Sequence, residues 1–261
     1  VALRISTAGP GTVLTSSSHR TGTAGDYGFR MQVILVPGLW LDASSWQPVI
    51  GALEEAGHTA RPLTIPGTGR PASESDGIGI QDWVDAVVAE IDAASPLGAV
   101  VLVGHSGGGN VVWAAADARP DAVARVVLVD TVPTAEGAII SEFPAFDGVI
   151  PFPGWDFFGE DAADLDDEVR ARTLPMTRSV PMHVPADHLA FSTGRRHQVP
   201  LTALMGGLDA EGMRSELAAW PVYRTEFDSI DDVEVIRLGT GHWPQFSRPQ
   251  AFARTLARVI R

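Results

Sequence analysis

The sequence predicts an α/β fold: a mostly parallel central sheet of about six strands, helices on both faces and an inserted helical lid. Three observations predict it. Short apolar, β-branched runs recur from Met31 onward, amphipathic stretches separate several of them, and one long segment rich in proline and aromatic residues interrupts the alternation. Continuous apolar runs read as strands buried on both faces, which a parallel sheet between two helical layers provides. With 261 residues the chain can bury one sizeable core, so a single domain is expected,.

Taken in order, residues 1–30 are rich in Thr, Ser and Gly and lack helical or strand periodicity, which reads as an N-terminal tail,. The folded protein is expected to begin at Met31, with the tail dispensable. No basic start followed by an apolar stretch marks a signal peptide, and no run approaches the ~20 apolar residues of a membrane span, so a cytoplasmic location is expected. Strands are predicted at 33–36, 59–65, 99–103, 126–129, 201–205 and 233–238, each a short β-branched or aliphatic run,. Helices are predicted at 46–56, 80–94, 110–118, 211–220 and 249–260, where apolar residues recur on one face,. The segment 133–199 carries many prolines, acidic patches and large aromatics. A structureless loop of that length is improbable in a compact domain, so an inserted lid with short helices of its own is expected there,.

Composition narrows the chemistry. The chain has no cysteine, which removes thiol nucleophiles, cysteine-ligated zinc and disulfides together,. Lysine is also absent, so Schiff-base chemistry and a lysine-dependent phosphate loop are excluded,. A formal net charge of -13 disfavours nucleic acid and anionic membrane surfaces as partners and leaves a small molecule as the expected one,. His183 and His188 lie five residues apart without an obvious third ligand, so neither a metal nor any other cofactor is expected,. Serine, histidine and carboxylates must carry any covalent step.

The stretch "VVLVGHSGGGN" supplies a candidate nucleophile. Gly104-His105-Ser106-Gly107-Gly108 fits G-x-S-x-G, follows an apolar strand directly and opens a helix. In that setting a sharp turn lifts Ser106 into the open, the glycines on either side avoid collisions, and the helix N-terminus favours a developing oxyanion. An exposed serine needs a base. His242, in "GTGHWPQFSRP" after the last strand, sits where open α/β sheets build their sites,.

Over residues 31–261 the chain resembles the α/β-hydrolase family, serine esterase type. The resemblance is carried by "VILVPGLW", "IPGTGRP", "VVLVGHSGGG", "VVLVD" and "GTGHWPQFSRP" in family order. It is nearest in form to a compact branch with plant methyl esterases, hydroxynitrile lyases and small bacterial esterases. Pro37 replaces the histidine usual before Gly38. The resemblance implies an α/β-hydrolase fold, and an oxyanion hole from the N–H groups of Leu39 and Gly107. It leaves two acids open. Asp209 ends "LMGGLD", where most of the family keep theirs, and Asp130 ends "VVLVD", a minority position. The wording around Asp130 resembles a subgroup whose later position is commonly not acidic, which favours Asp130.

The implied reaction is cleavage of a small to medium apolar carboxylic ester or lactone through an acyl-enzyme on Ser106, His242 and Asp130. Trp40, His105, Phe143, Phe146, Phe152, Trp155, Phe158 and Trp243 are the candidate pocket residues, although packing onto the core is an equal reading of the lid aromatics,. Thioester, carbon–carbon bond and perhydrolytic chemistry are compatible with the same residues, and so is a non-catalytic small-ligand receptor. The serine sets the chain apart from aspartate-dependent dehalogenases and epoxide hydrolases, and the missing lysine from hydroxynitrile lyases.

Overall fold

The structure, a computed structural model, describes residues 30–260, and the tail expected at 1–30 lies outside them but for its last residue. The chain alternates β1 (Gln32–Val36), α1 (Gln47–Glu55), β2 (Thr59–Pro62), α2 (Ala72–Ser75), α3 (Ile80–Ala94), β3 (Val100–His105), α4 (Gly107–Ala118) and β4 (Val123–Val129). After a long excursion it resumes with β7 (Leu201–Met205), α6 (Ala210–Leu217), α7 (Pro221–Asp228), β8 (Val233–Arg237), α8 (Pro244–Ser247) and α9 (Pro249–Val259). The excursion contains β5 (Val149–Ile150), α5 (Asp167–Thr173) and β6 (Val180–Pro181).

Six strands form one sheet in the order β2-β1-β3-β4-β7-β8, every adjacent pair parallel. Alternate side chains reach opposite faces. Val33, Leu35, Val101, Val103, Val127 and Val129 pack with Trp46, Leu53, Phe252 and Leu256 of the α1 and α9 layer. Ile34, Val36, Val100, Leu102, Val126 and Leu128 pack with Trp83, Val87, Ile91 and Trp113 of the α3 and α4 layer. Both faces are dry along β1, β3, β7 and most of β4, which is why these strands read as apolar runs, whereas the edge strands β2 and β8 are only partly buried. The register pairs Val36 with Gly104, His105 with Val129 and Val129 with Leu204. The strand C-termini therefore end level, and the loops after β1, β3, β4, β7 and β8 meet along one edge.

Several boundaries differ from expectation for physical reasons. The third strand runs on through His105, and its helix begins at Gly107 rather than 110, because the glycines there adopt helical backbone directly behind the turn. The helix predicted at 211–220 runs from Ala210 to Leu217, and the helix that follows it, Pro221–Asp228, was not anticipated: proline cannot continue a helix but starts one well at its first position,. The long excursion holds one seven-residue α-helix, several 3-10 turns and an antiparallel pairing of β5 with β6 that the sequence reading did not anticipate. No described helix is long and apolar enough to cross a membrane.

Candidate active site

Ser106 stands between β3 and α4 at φ 51 and ψ -126, a backbone that non-glycine residues rarely adopt,. Close packing holds it there. A Cβ on Gly104 would come within 2.6 Å of both the Gly108 carbonyl oxygen and Val112, and one on Gly108 would overlap the Pro37 carbonyl. Ser106 N–H donates to Val129 O at 3.0 Å, tying the turn to β4. The partly exposed Ser106 hydroxyl does not cap the helix, and among the described residues it makes no hydrogen bond.

The two residues expected to supply oxyanion donors are neighbours. A Cβ on Gly107 would lie 3.0 Å from Leu39 Cγ, so these residues are in contact. Gly107 is the first residue of α4, where an N–H has no intrahelical acceptor,. The Leu39 N–H has no hydrogen-bond acceptor among the described residues. The loop carrying Leu39 is held by Arg178 N–H, which donates to Trp40 O at 2.8 Å, and by the Arg178–Asp42 ion pair at 2.9 Å.

Asp130 meets His242 on the other side of the serine turn. It follows β4 at φ 47, donates its own N–H to Leu204 O at 2.8 Å, and accepts from Gly206 N–H through Oδ1 at 2.7 Å. Oδ2 accepts from His242 Nδ1 at 2.6 Å. Burial by itself would raise the Asp130 pKa, but the hydrogen bond and charge of His242, with the Gly206 N–H, outweigh it and hold the carboxyl below the usual carboxylate value,. With Nδ1 as donor, the His242 Nε2 lone pair is left for another proton. Asp209, the alternative, does not reach His242: its side chain caps α6 by accepting from Gly212 N–H at 2.9 Å.

The pocket expectations need correction at two residues. His105 does not line a pocket. It is buried beneath the site, where Nε2 donates to His242 O at 2.8 Å and Nδ1 faces Gln245 Nε2 at 3.3 Å. Burial, reinforced by the His242 charge, lowers its pKa to about 3, so it stays neutral and acts as a brace under the histidine loop. Phe146 is also misplaced, being 62% exposed, because the tight turn through Asp147 (φ 49) and Gly148 (φ 77) pairs its backbone with Val149 and points the residue outward.

The other aromatics gather against the site. Trp40 packs edge-on against Phe143, Phe152 and Phe158, with ring centroids 4.8, 6.1 and 5.6 Å apart. Phe158 meets Trp243 at 4.8 Å, and Trp243 meets the His242 ring at 4.7 Å. Trp155 and Trp243 belong to a buried cluster with Leu41, Leu165 and Phe246, so they support the roof more than they face a ligand. Residues that no motif signalled complete the site. Ile140 Cδ1 would lie 3.3 Å from a Cβ on Gly107, Asp161 O accepts the His242 N–H at 2.9 Å, and Asp164 Oδ2 accepts the Gly241 N–H at 2.7 Å. The signal that could have found Gly206 is its glycine pair: a Cβ there would come within 2.6 Å of Thr240 O.

Comparison with known proteins follows the same lines. A model of the family described as "Alpha/beta hydrolase family" matches residues 33–255. The chain is 44% identical over 100 residues to the putative carbamate hydrolase RutD of Variovorax paradoxus, covering 38% of this chain and 37% of that protein. It is 41% identical over 101 residues to the esterase PIR7B of Oryza sativa subsp. japonica, covering 37% of each chain. The match therefore spans little more than a third of either relative. Among solved structures, an extracellular alpha/beta-hydrolase from a Paenibacillus species superposes with a TM-score of 0.67 at 18% identity, over 87% of this chain and 98% of that one. A methylesterase from Arabidopsis gives 0.64 at 17% identity, over 88% and 98%. At these identities the likeness concerns the fold.

Proposed function

The chain belongs to the alpha/beta hydrolase family, and from that premise we propose that it is a serine hydrolase cleaving a small to medium apolar carboxylic ester or lactone through an acyl-enzyme. The observation that supports the reading is the 2.6 Å hydrogen bond from His242 Nδ1 to Asp130, taken together with a serine whose backbone is held at φ 51 and whose hydroxyl is committed to nothing else described.

In this mechanism Ser106 Oγ attacks the carbonyl carbon as His242 Nε2 takes its proton. The resulting imidazolium is stabilised by Asp130, which stays ionised because its pKa is held down,. Negative charge on the carbonyl oxygen is met by the N–H groups of Leu39 and Gly107, each such donor being worth about 10²–10³ in kcat. His242 then returns the proton to the leaving alcohol oxygen, and the carbon–oxygen bond breaks. Water, deprotonated by the same nitrogen, attacks the acyl-enzyme and releases the acid. No step calls on a metal or an organic cofactor. The rings of Trp40, Phe143, Phe152 and Phe158 favour an apolar substrate body,.

The test is a p-nitrophenyl ester and lactone panel graded in acyl length, run on the protein and on Ser106→Ala, with fluorophosphonate labelling as a parallel readout. Turnover of the shorter esters and labelling should both be lost in the variant, with kcat falling at least about 10⁴-fold. Undiminished turnover by Ser106→Ala would refute the assignment.

A further inference from the structure

The roof is fastened to the histidine loop at two points, His242 N–H to Asp161 O at 2.9 Å and Gly241 N–H to Asp164 Oδ2 at 2.7 Å. Three residues before Asp161, Phe158 packs on Trp243 at 4.8 Å and on Trp40 at 5.6 Å. The segment thus bridges the side of the site that holds His242 and the side that holds Leu39 and Trp40. Asp164 spends its carboxylate in the fastening. Asp161 uses its main chain and leaves its carboxylate over: the residue is partly buried, and among the described residues no donor or cation pairs with that group. Arg170, bound to the same segment, is committed to Ala162 O at 2.9 Å, Leu165 O at 2.8 Å and Asp156 at 2.8 Å.

Two physical features follow. Burial pushes the Asp161 carboxyl up, the His242 charge pulls it down, and Asp130 and Glu160 push it up again, so it sits above the usual carboxylate value and shares the field of the His242–Asp130 pair. A partly desolvated carboxylate without a partner is unfavourable until a cation or donor meets it.

We propose that Asp161 is a specificity-determining residue that receives a cationic, alkylammonium-type group on the ester, close to the scissile carbonyl, and repels esters carrying a carboxylate there. This rests on the serine-hydrolase reading and narrows its substrate class from apolar esters in general to apolar esters bearing a positive charge.

The experiment measures binding, so that it does not depend on turnover. Three esters of equal length, ending in trimethylammonium, tert-butyl or carboxylate, are titrated calorimetrically at pH 8 into Ser106→Ala and into Ser106→Ala/Asp161→Asn. In Ser106→Ala the trimethylammonium ester should bind at least about tenfold more tightly than the carboxylate ester, and adding 0.5 M salt should shrink that ratio. Asp161→Asn should bring the ratio below about threefold, and Asp161→Glu, which keeps the charge, should preserve most of it. Equal binding of the charged esters to Ser106→Ala, or a ratio that Asp161→Asn leaves unchanged, overturns the proposal. Should Ser106→Ala/Asp161→Asn fail to fold, Ser106→Ala/Asp161→Ser takes its place, and a ratio that it leaves unchanged overturns the proposal in the same way. Turnover of the tert-butyl ester by the unsubstituted protein and by Ser106→Ala tests the hydrolase reading separately, so either idea can fail alone.

Discussion

Asp130 accepts one hydrogen bond through each carboxylate oxygen, from Gly206 N–H at 2.7 Å and from His242 Nδ1 at 2.6 Å, and it does so from left-handed backbone at φ 47. Asparagine tolerates that backbone almost as well as aspartate. Asp130→Asn should therefore leave the fold alone while removing the charge that stabilises the imidazolium. An expected loss on the order of 10⁴-fold in kcat, with KM little changed, follows in steady-state ester hydrolysis. Asp209→Asn is the control. Asparagine caps a helix about as well as aspartate, so kcat should stay within about twofold and stability within roughly 0.5 kcal/mol. Equal losses in the two variants would place the acid elsewhere.

At the scale of the element, the turn from β3 into α4 is set by what glycine lacks. Gly104 and Gly108 have the carbonyl oxygens of Gly108 and Pro37 where a methyl group would go. Gly104→Ala and Gly108→Ala should each cost about 1–3 kcal/mol by overpacking. In thermal unfolding that is a fall of several degrees, since 1 kcal/mol corresponds to about 2–4 °C at this size. Ester turnover should fall with it as Ser106 shifts. Gly51 gives the opposite sign: it lies inside α1, and a Cβ there would meet nothing within 4 Å. Gly51→Ala should raise stability by roughly 0.5–1 kcal/mol. A destabilised Gly51→Ala would show that the helix is packed differently.

Across the whole molecule, the far end of the excursion is anchored by a buried ionic network. Arg196 bonds Glu226 of α7 through two nitrogens at 2.6 and 2.8 Å and reaches Asp117 of α4 at 3.4 Å. Asp117 Oδ2 also accepts from Ser192 and Thr193 N–H at 2.6 and 2.7 Å, and Trp113 Nε1 donates to Glu226 at 2.8 Å. Burial pushes both carboxyls up, yet these hydrogen bonds and the Arg196 charge hold them below their ordinary values of 3.8 and 4.5. A folded pKa lower than the unfolded one gives stability that is present above the unfolded value and is lost as pH falls through the folded one. The network's contribution should thus fade on acidification below about pH 4.5,. Arg196→Met takes the guanidinium from two buried carboxylates and should cost about 3–5 kcal/mol at neutral pH. Its Tm should also fall less on acidification than that of the unsubstituted protein, which a Tm series against pH reads directly.

What could be read from the chain alone was whatever short-range sterics and burial decide. Unbroken aliphatic runs gave away strands covered on both faces, and Leu201–Met205 and Ile80–Ala94 emerge at the bounds their patterns suggested. The glycines around Ser106 announced the turn, because only close backbone approach demands them on both sides. Where the reading fell short, the cause lay at long range or in a local start signal passed over, as with Pro221 opening α7,. Asp130 and Asp209 both follow strand ends, and only the family resemblance around Asp130 favoured one of them as partner to a histidine 112 or 33 positions later; the level C-terminal edge of the sheet brings Asp130 to His242, while α6 occupies Asp209. His105 went under the histidine loop for the same reason, whereas Phe146 went out to solvent on the local turn through Asp147 and Gly148. A side chain's type and spacing determine what it can do, but which partner it meets depends on where distant loops converge, and that is a property of the packed sheet.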